Sequence, residues 1–272
     1  PQVNCIMDEL AQPCIDTALA YRQHQRWIPT LAPINWQEKP GQPINLKTDG
    51  LYLITGGLGG IATTLARNLY QYKQVKLILV GRTVLPPRHE WPHHLDKDTP
   101  LAAKIRQLQS LESITNEVTY HAADVCNAEA LEQLVSEAEW RWQQPLNGVF
   151  HLAGEGNLGD HWQSVDERWL VTQTLETVEE MWQAKVYGTY TVAQQLLANR
   201  PNALFVGFSS VNALFGGATF SAYAAANSFL DHFCHYQRTH GHPNTYSINW
   251  SMWQDIGMSD GAPESTIKVS QQ

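Results

Sequence analysis

Four residues carry side chains suited to moving a proton, namely Ser210, Tyr223, Asn227 and Lys185. A tyrosine hydroxyl has a pKa of about 10 and becomes an effective acid–base only when a nearby cation stabilises its anion. Asn227 follows Tyr223 by four residues, so both lie on one face of a helix. Because that fourth position holds an amide, the cation must come from elsewhere. Lys185 is the only lysine between residues 105 and 267, which makes it the candidate.

This set of side chains suits the reduction of a carbonyl group by a hydride. The oxygen that becomes an alkoxide needs a proton donor, here Tyr223, and a second donor that holds it in place, here Ser210 at the end of an apolar run. Taken singly, each residue has a plainer interpretation: Ser210 as a turn or helix cap, Tyr223 as a core aromatic and Asn227 as a satisfied helix polar group. The catalytic interpretation therefore depends on the elements around them.

A glycine-rich turn, TGGLGGIA, joins the buried-strand run LYLIT at 51–55 to an amphipathic helix. Glycines let a backbone turn tightly and approach a pyrophosphate, and a helix N-terminus offers unpaired N–H groups and a favourable dipole. Ala62 replaces the last glycine of the fingerprint and is still small enough for close packing. We therefore predict a dinucleotide site at this turn, formed by Thr55, Gly56, Gly57, Leu58, Gly59 and Ile61.

The ends of the next three predicted strands indicate which dinucleotide binds. The second ends in Arg82 and Thr83, without the acidic residue that binds the ribose of NAD, so we predict that both hold the 2′-phosphate of NADPH. A solvated arginine is the alternative. The third strand ends in Asp124-Val125, where an adenine edge would lie. The fourth ends in Ala153-Gly154, beside the pyrophosphate and the nicotinamide ribose.

Strand-like and helix-like segments alternate from residue 51 to residue 250. This predicts an α/β fold: a Rossmann-type doubly wound parallel sheet of about seven strands with helices on both faces. One long helix is expected over 177–198. We divide the chain into an N-terminal segment with a linker (1–45), a catalytic domain (46–260) and a tail (261–272).

Three shorter segments have their own predictions. CIDTALAYRQH at 14–24 has a helical pattern, and QRWIPTLAPINW at 25–36 alternates as a strand does. Residues 84–100 form an irregular, proline-rich insertion.

Composition excludes several function classes. The net charge of −8 and the lack of a basic stripe argue against nucleic acid as a partner. No apolar run approaches the roughly 20 residues needed to span a bilayer. The four cysteines form no CxxC pair, so we expect reduced thiols in a cytoplasmic protein. The histidines of the 84–100 insertion come from a single segment, and we predict no metal site.

Several stretches together resemble a known family in the order in which they occur: LYLITGGLGGIA, GRTVLPPRHEW, GVFHLAG, QAKVYGTY, FVGFSSVNALFGG, YAAANSFLDHF and SINWSMWQDIGM. Over roughly residues 18–259 the chain resembles the ketoreductase domain of modular polyketide synthases, a branch of the short-chain dehydrogenase/reductases. In this branch the lysine and asparagine are exchanged relative to ordinary members. The resemblance implies a tetrad of Tyr223, Ser210, Lys185 and Asn227, and a short N-terminal remnant of the family's structural subdomain.

The resemblance also implies a substrate and partners. The substrate would be a β-ketoacyl group on the phosphopantetheine arm of an acyl carrier protein, next to other polyketide synthase domains, and the product a β-hydroxyacyl thioester. The family's two signals for hydroxyl stereochemistry are both missing: Leu170-Val171-Thr172 replaces a Leu-Asp-Asp, and Phe215 replaces a tryptophan. By position, Phe215 and Trp169 line the acyl entrance.

Two other functions remain open. One is a free-standing reductase of a small ketone, which a parent chain with carrier or ketosynthase regions would exclude. The other is a silent domain that binds the cofactor without turnover. The presence of all four tetrad residues argues against silence.

Overall fold

The computed structural model describes residues 2–11, 13, 18–35, 37–38, 44–154, 173–216, 221–253 and 256. The chain divides into two compact units, Pro1–Asn45 and Leu46–Gln272. Each unit is described by itself.

The described residues of the first unit form the helix α1 (Gln2–Leu10) and a two-stranded antiparallel hairpin of β1 (Ala20–Arg22) and β2 (Gln25–Trp27). The two turn residues of the hairpin, Gln23 and His24, both have positive φ, at 51° and 65°, as a tight two-residue hairpin requires. The helix predicted over residues 14–24 is therefore wrong at 20–22, which form a strand, and the strand predicted from residue 25 ends at Trp27.

The second unit is built on a six-stranded sheet in which every neighbouring pair is parallel. Its strands are β3 (Leu51–Thr55), β4 (Lys76–Gly81), β5 (Val118–Ala122), β6 (Leu146–His151), β7 (Leu204–Ser210) and β8 (Thr245–Trp250). They lie in the order β5-β4-β3-β6-β7-β8, so the order in which strands are added across the sheet reverses between β3 and β6. The Rossmann-type parallel sheet is as predicted, with six strands in the described residues where about seven were expected. Ligands of such sheets bind at the carboxyl ends of the strands near that reversal.

Helices cover both faces of the sheet. They are α2 (Gly60–Lys73), α3 (Trp91–Leu95), α4 (Pro100–Glu112), α5 (Ala128–Trp142), α6 (Leu175–Trp182), α7 (Thr189–Val192), α8 (Asn212–Phe215) and α9 (Ser221–Thr239). The buried residues form two clusters, one per face, and β3 alternates between them: Leu51 and Leu53 pack with α5 and α9, whereas Tyr52 and Ile54 pack with α2 and α4. A strand buried on both faces reads as a continuous apolar run, which is why the parallel sheet could be predicted.

The helical segment predicted over 177–198 is not uniformly wound. After α6 the backbone forms a π-helix over Gln183–Gly188, returns to α-helix in α7, and forms a second π-helix over Ala193–Leu197. Such wide turns are rare and frequently occur at functional sites. Lys185 lies in the first of them.

The segment 84–100 is more ordered than its composition predicted. It contains a 3₁₀ turn at Arg88–Glu90 followed by α3. Trp91 is buried, and its indole N–H donates to the carbonyl of Pro86 at 2.8 Å. This part of the segment is therefore folded around one buried tryptophan.

Candidate active site

The glycine turn after β3 is closely packed. Gly56 has φ +69°, in the left-handed region that favours glycine. A Cβ on Gly57 would lie 2.6 Å from the Leu79 Cβ, because its N–H donates to the carbonyl of Val80 at 2.9 Å. Only glycine lets the backbone lie this close to β4.

The turn leads into the N-terminus of α2, where Gly59 is the cap residue and offers no side-chain acceptor to the first N–H groups. These groups and the glycine cradle fit a pyrophosphate. Leu58 is buried and Ile61 packs against the core, so both anchor the turn to the hydrophobic core.

A second cation, Lys104 on α4, contacts the end of β4, and the sequence analysis did not single it out. Arg82 is exposed, and the Lys104 ammonium on α4 donates to the Thr83 hydroxyl. The Tyr120 hydroxyl donates to the backbone carbonyl of Thr83 at 2.6 Å, so β5 also fixes this corner. Two positive charges and a hydroxyl fit a 2′-phosphate.

The ends of β5 and β6 lie on either side of the turn after β3. Asp124 accepts from the N–H of Cys126 at 2.8 Å. Val125 is buried against the π-helix that carries Lys185: a Cβ on Gly188 would lie 2.3 Å from a Val125 methyl. Ala153, followed by Gly154, donates its N–H to the Thr55 hydroxyl at 3.1 Å.

Ser210, Tyr223 and Asn227 are brought together at the carboxyl end of β7. Ser210 is the last residue of that strand, and Tyr223 lies in the first turn of α9. Burial raises the pKa of Tyr223, whereas hydrogen bonds from the side chains of Ser210 and Asn227 lower it. The side chains of Ser210 and Asn227 therefore both favour the ionised form of the Tyr223 phenol.

Asn227 is fully buried and anchors this group. Its Nδ2 donates to the backbone carbonyl of Tyr223 at 2.8 Å, and its own backbone carbonyl accepts from the Ser209 hydroxyl at 3.3 Å. Its Oδ1 is buried and has no hydrogen-bond partner among the described residues. A buried amide oxygen without a partner is costly in a protein interior. The Asn227 Oδ1 atom is therefore suited to accept a hydrogen bond from a donor on a bound molecule.

Lys185 is only 4% exposed and reaches the same strand, since its Nζ donates to the backbone carbonyl of Phe208 at 2.6 Å. Burial lowers the pKa of this ammonium to about 8, and the negative charge of Asp231 opposes that fall. A lysine with a lowered pKa in a buried site is suited to proton transfer near neutral pH.

His151 links the lysine segment to the nucleotide turn. Its Nδ1 lies 2.9 Å from the Thr55 hydroxyl and its Nε2 lies 3.0 Å from the carbonyl of Ala184, the residue before Lys185. Burial, followed by the Lys185 charge, lowers the pKa of His151 to about 3. The imidazole is therefore neutral at physiological pH, and because Nε2 donates to a carbonyl, Nδ1 accepts from Thr55.

The predicted acyl entrance is only partly described. Phe215 ends α8 and is 70% exposed. Trp169 lies outside the described residues, as do the positions 170–172 that replace one of the stereochemical signals. Phe215 therefore presents an exposed aromatic ring at the end of the short helix that follows β7, and its place at the acyl entrance stays a prediction.

Comparison with known proteins identifies the family. The family model described as the KR domain matches residues 50–255, most of the chain and all four predicted tetrad residues. The chain belongs to the ketoreductase domain family. It is a ketoreductase domain of the polyketide synthase type within the short-chain dehydrogenase/reductases, whose members bind a nicotinamide cofactor.

Curated relatives of this ketoreductase domain are much longer proteins. It is 32% identical over 216 residues to 6-methylsalicylic acid synthase of Aspergillus terreus, covering 78% of this chain and 11% of the relative. It is also 32% identical over 227 residues to the mycocerosic acid synthase-like polyketide synthase of Mycobacterium tuberculosis, covering 84% and 10%. The chain thus spans about a tenth of the length of these relatives.

Solved structures have the same fold. A ketoreductase domain from the bacillaene assembly line matches with a TM-score of 0.74 and 28% identity, covering 98% of this chain and 58% of that one. A multidomain structure with the adenylation domain, ketoreductase and pseudo Asub of a keto acid-selecting NRPS module matches with a TM-score of 0.77 and 30% identity, covering 98% and 21%.

Among the described residues of the ketoreductase domain, no helix has the length and apolarity to cross a bilayer.

Proposed function

We propose that this ketoreductase domain reduces a β-ketoacyl group, carried on the phosphopantetheine arm of an acyl carrier protein, to the β-hydroxyacyl thioester with NADPH. The observation that carries the proposal is the meeting of the Ser210, Tyr223 and Asn227 side chains at the end of β7, with the buried Lys185 ammonium bonded to the same strand. Carrier protein and neighbouring synthase domains, in a cytoplasmic assembly, are the partners we propose.

The cofactor would supply the hydride when bound. Its pyrophosphate would lie against the turn at Gly56 and Gly57 and the start of α2. Its 2′-phosphate would lie between Arg82 and Lys104, and small residues at Ala153-Gly154 would leave room at the sheet edge. The cradle that a Cβ would fill and the start of α2, which has no side-chain cap, support this assignment.

The residues of this chain would handle the proton. A ketone becomes an alcohol by gaining a hydride at carbon and a proton at oxygen, and Tyr223 gives that proton while Ser210 donates a second hydrogen bond to the same oxygen. Because burial raises the pKa of Tyr223, its hydroxyl stays protonated until the ketone oxygen of the substrate develops negative charge. Lys185 stabilises the tyrosinate that is left and supports its reprotonation.

The test is NADPH oxidation with a β-ketoacyl thioester surrogate. We expect turnover by the wild type and a loss of roughly a hundredfold to ten-thousandfold in Tyr223→Phe, with NADPH affinity retained. The matched control is Tyr236→Phe, because Tyr236 lies on the same helix and is 56% exposed. Wild-type protein that binds NADPH but does not turn over would contradict the proposal and leave a silent domain.

A second candidate substrate is a keto acid held as a thioester on a nonribosomal peptide synthetase. It is favoured by the match to the keto acid-selecting NRPS module, which covers nearly the whole of this chain. Parallel assays with 2-ketoacyl and 3-ketoacyl thioesters separate the two: higher kcat/KM for the 2-ketoacyl substrate would favour this candidate.

A further inference from the structure

Asp231 extends the catalytic face of α9. Tyr223, Asn227 and Asp231 are spaced four residues apart, so the carboxylate lies two turns beyond the phenol on one stripe of the helix. Its Oδ1 is buried and has no hydrogen-bond partner among the described residues. A buried carboxylate oxygen in that condition is costly unless a positive charge is nearby.

Asn249 on β8 holds the other oxygen of this carboxylate. Its Nδ2 donates to Asp231 Oδ2 at 2.6 Å and to the backbone carbonyl of Ser210 at 3.1 Å, with the Ser209 hydroxyl at 3.4 Å. One amide group therefore ties Asp231 to the strand end that carries Ser210. The position of the carboxylate relative to the catalytic strand is fixed by this bridge.

Lys185 is the positive charge that Asp231 acts on. The ammonium is buried and donates to a neutral carbonyl, that of Phe208, which gives it no counter-charge. The titratable groups whose charges couple to Lys185 in the described part of the chain come from two other elements, His151 on β6 and Asp231 on α9. His151 is neutral at physiological pH, so Asp231 provides the negative charge.

We propose that Asp231 is a positioning residue of the reductase: held by Asn249, its carboxylate supplies the buried negative charge that stabilises the Lys185 ammonium. The inference rests on the proposed function for its catalytic consequence. Asp231 acts through Lys185 and does not touch the reacting atoms. Burial alone lowers the lysine pKa, so removing the carboxylate lowers it further.

The kinetic test compares kcat/KM against pH for wild type and Asp231→Asn. We expect the activity of the wild type to fall as pH rises through about 8, because burial lowers the pKa of Lys185 to about 8. A downward shift of about one pKa unit in Asp231→Asn makes the loss about fivefold at pH 8 and leaves near parity at pH 6. Asp231→Glu, which keeps the charge, is expected to show the same fall in kcat/KM at high pH as the wild type. An equal loss at both pH values in Asp231→Asn would overturn the proposal.

The matched control is Glu180→Gln. It removes an exposed carboxylate five residues before Lys185 and is expected to leave the basic limb where it is in the wild type. If circular dichroism shows that Asp231→Asn does not fold, Asp231→Ser is measured with the same expectation. A shift of the same size in Glu180→Gln would show that the overall charge of the protein, and not Asp231, determines the pH at which kcat/KM falls.

A second measurement needs no substrate. Lysine labelled with ¹³C at Cε is titrated by NMR, and the Lys185 signal is assigned from its loss in Lys185→Met. We expect a midpoint near pH 8 in the wild type and a lower midpoint in Asp231→Asn. Equal midpoints would contradict the inference even in an active enzyme. A shift in a protein without turnover would support the electrostatic role while rejecting the proposed function.

Discussion

Lys185 and Arg82 are both cations of the candidate site, but they lie in opposite environments. Lys185 is 4% exposed and surrounded by β6, β7 and α9, whereas Arg82 is exposed at the end of β4, with Lys104 nearby. A buried charge depends on a few fixed partners, because unpaired burial is costly. An exposed charge is screened by water and salt, and each contact contributes less. We therefore expect single substitutions to have large effects at the catalytic corner and small, additive ones at the nucleotide corner.

The largest effect is expected for Lys185→Met. The variant lacks the charge that we propose stabilises the Tyr223 anion, so kcat at pH 7 should fall roughly a hundredfold or more, with little change in NADPH affinity. Stopped assays of turnover and fluorescence titration of NADPH measure the two quantities. Lys76→Met is the control, since Lys76 begins β4 at the opposite end of the strands. A similar fall in NADPH affinity would show that the two corners are not separate.

Gly188→Ala tests the packing between the lysine segment and the nucleotide site. The added methyl meets the Val125 side chain at 2.3 Å, and such overpacking costs about 1–3 kcal/mol of unfolding free energy. Urea denaturation measures the loss. Val125→Ala in the same chain should recover part of it, because it removes the methyl in contact. Purely additive losses in the double variant would contradict the contact.

His151→Gln tests how burial couples charge to stability. The folded pKa of His151, about 3, lies below its ordinary value, so the unfolded chain binds more protons between about pH 3 and 6.5. Stability is therefore lost as pH falls through that window. From pH 7 to pH 5 the wild type should lose about 2 kcal/mol from this group alone. Urea unfolding at both pH values should show a smaller difference in the variant, and an unchanged difference would refute the buried neutral histidine.

The smallest effects are expected at the nucleotide corner. Arg82→Ala and Lys104→Ala should each weaken NADPH binding about tenfold and leave NADH almost unchanged, because only NADPH has the 2′-phosphate. Fluorescence titration at low and high salt measures the affinities for NADPH and NADH. Lys73→Ala, in the last turn of α2, is the matched control. Equal losses for NADH would show that neither side chain holds the phosphate.

Most of the fold could be predicted because strands buried on both faces, such as LYLIT at 51–55, leave a clear apolar signal. The four tetrad residues and the glycine turn were also found from residue type and order, and their roles stay predictions. Lys104 and the Asp231–Asn249 bridge were missed, since their partners lie on other elements and no spacing along the chain reports them. The π-helix at Gln183–Gly188 was missed because its apolar pattern resembles that of an ordinary helix.

That π-helix makes the location of Lys185 sensitive to a single codon. A wide turn holds one more residue than α-helical winding would, and each residue rotates an α-helix by about 100°. Deleting one residue between Trp182 and Gly188 would let the segment rewind as an ordinary α-helix and would change the direction in which the Lys185 side chain leaves the helix axis. The length of the chain would hardly change, yet the ammonium would no longer face β7. In-frame single-residue deletions are therefore a route by which such a domain loses catalysis and keeps its fold.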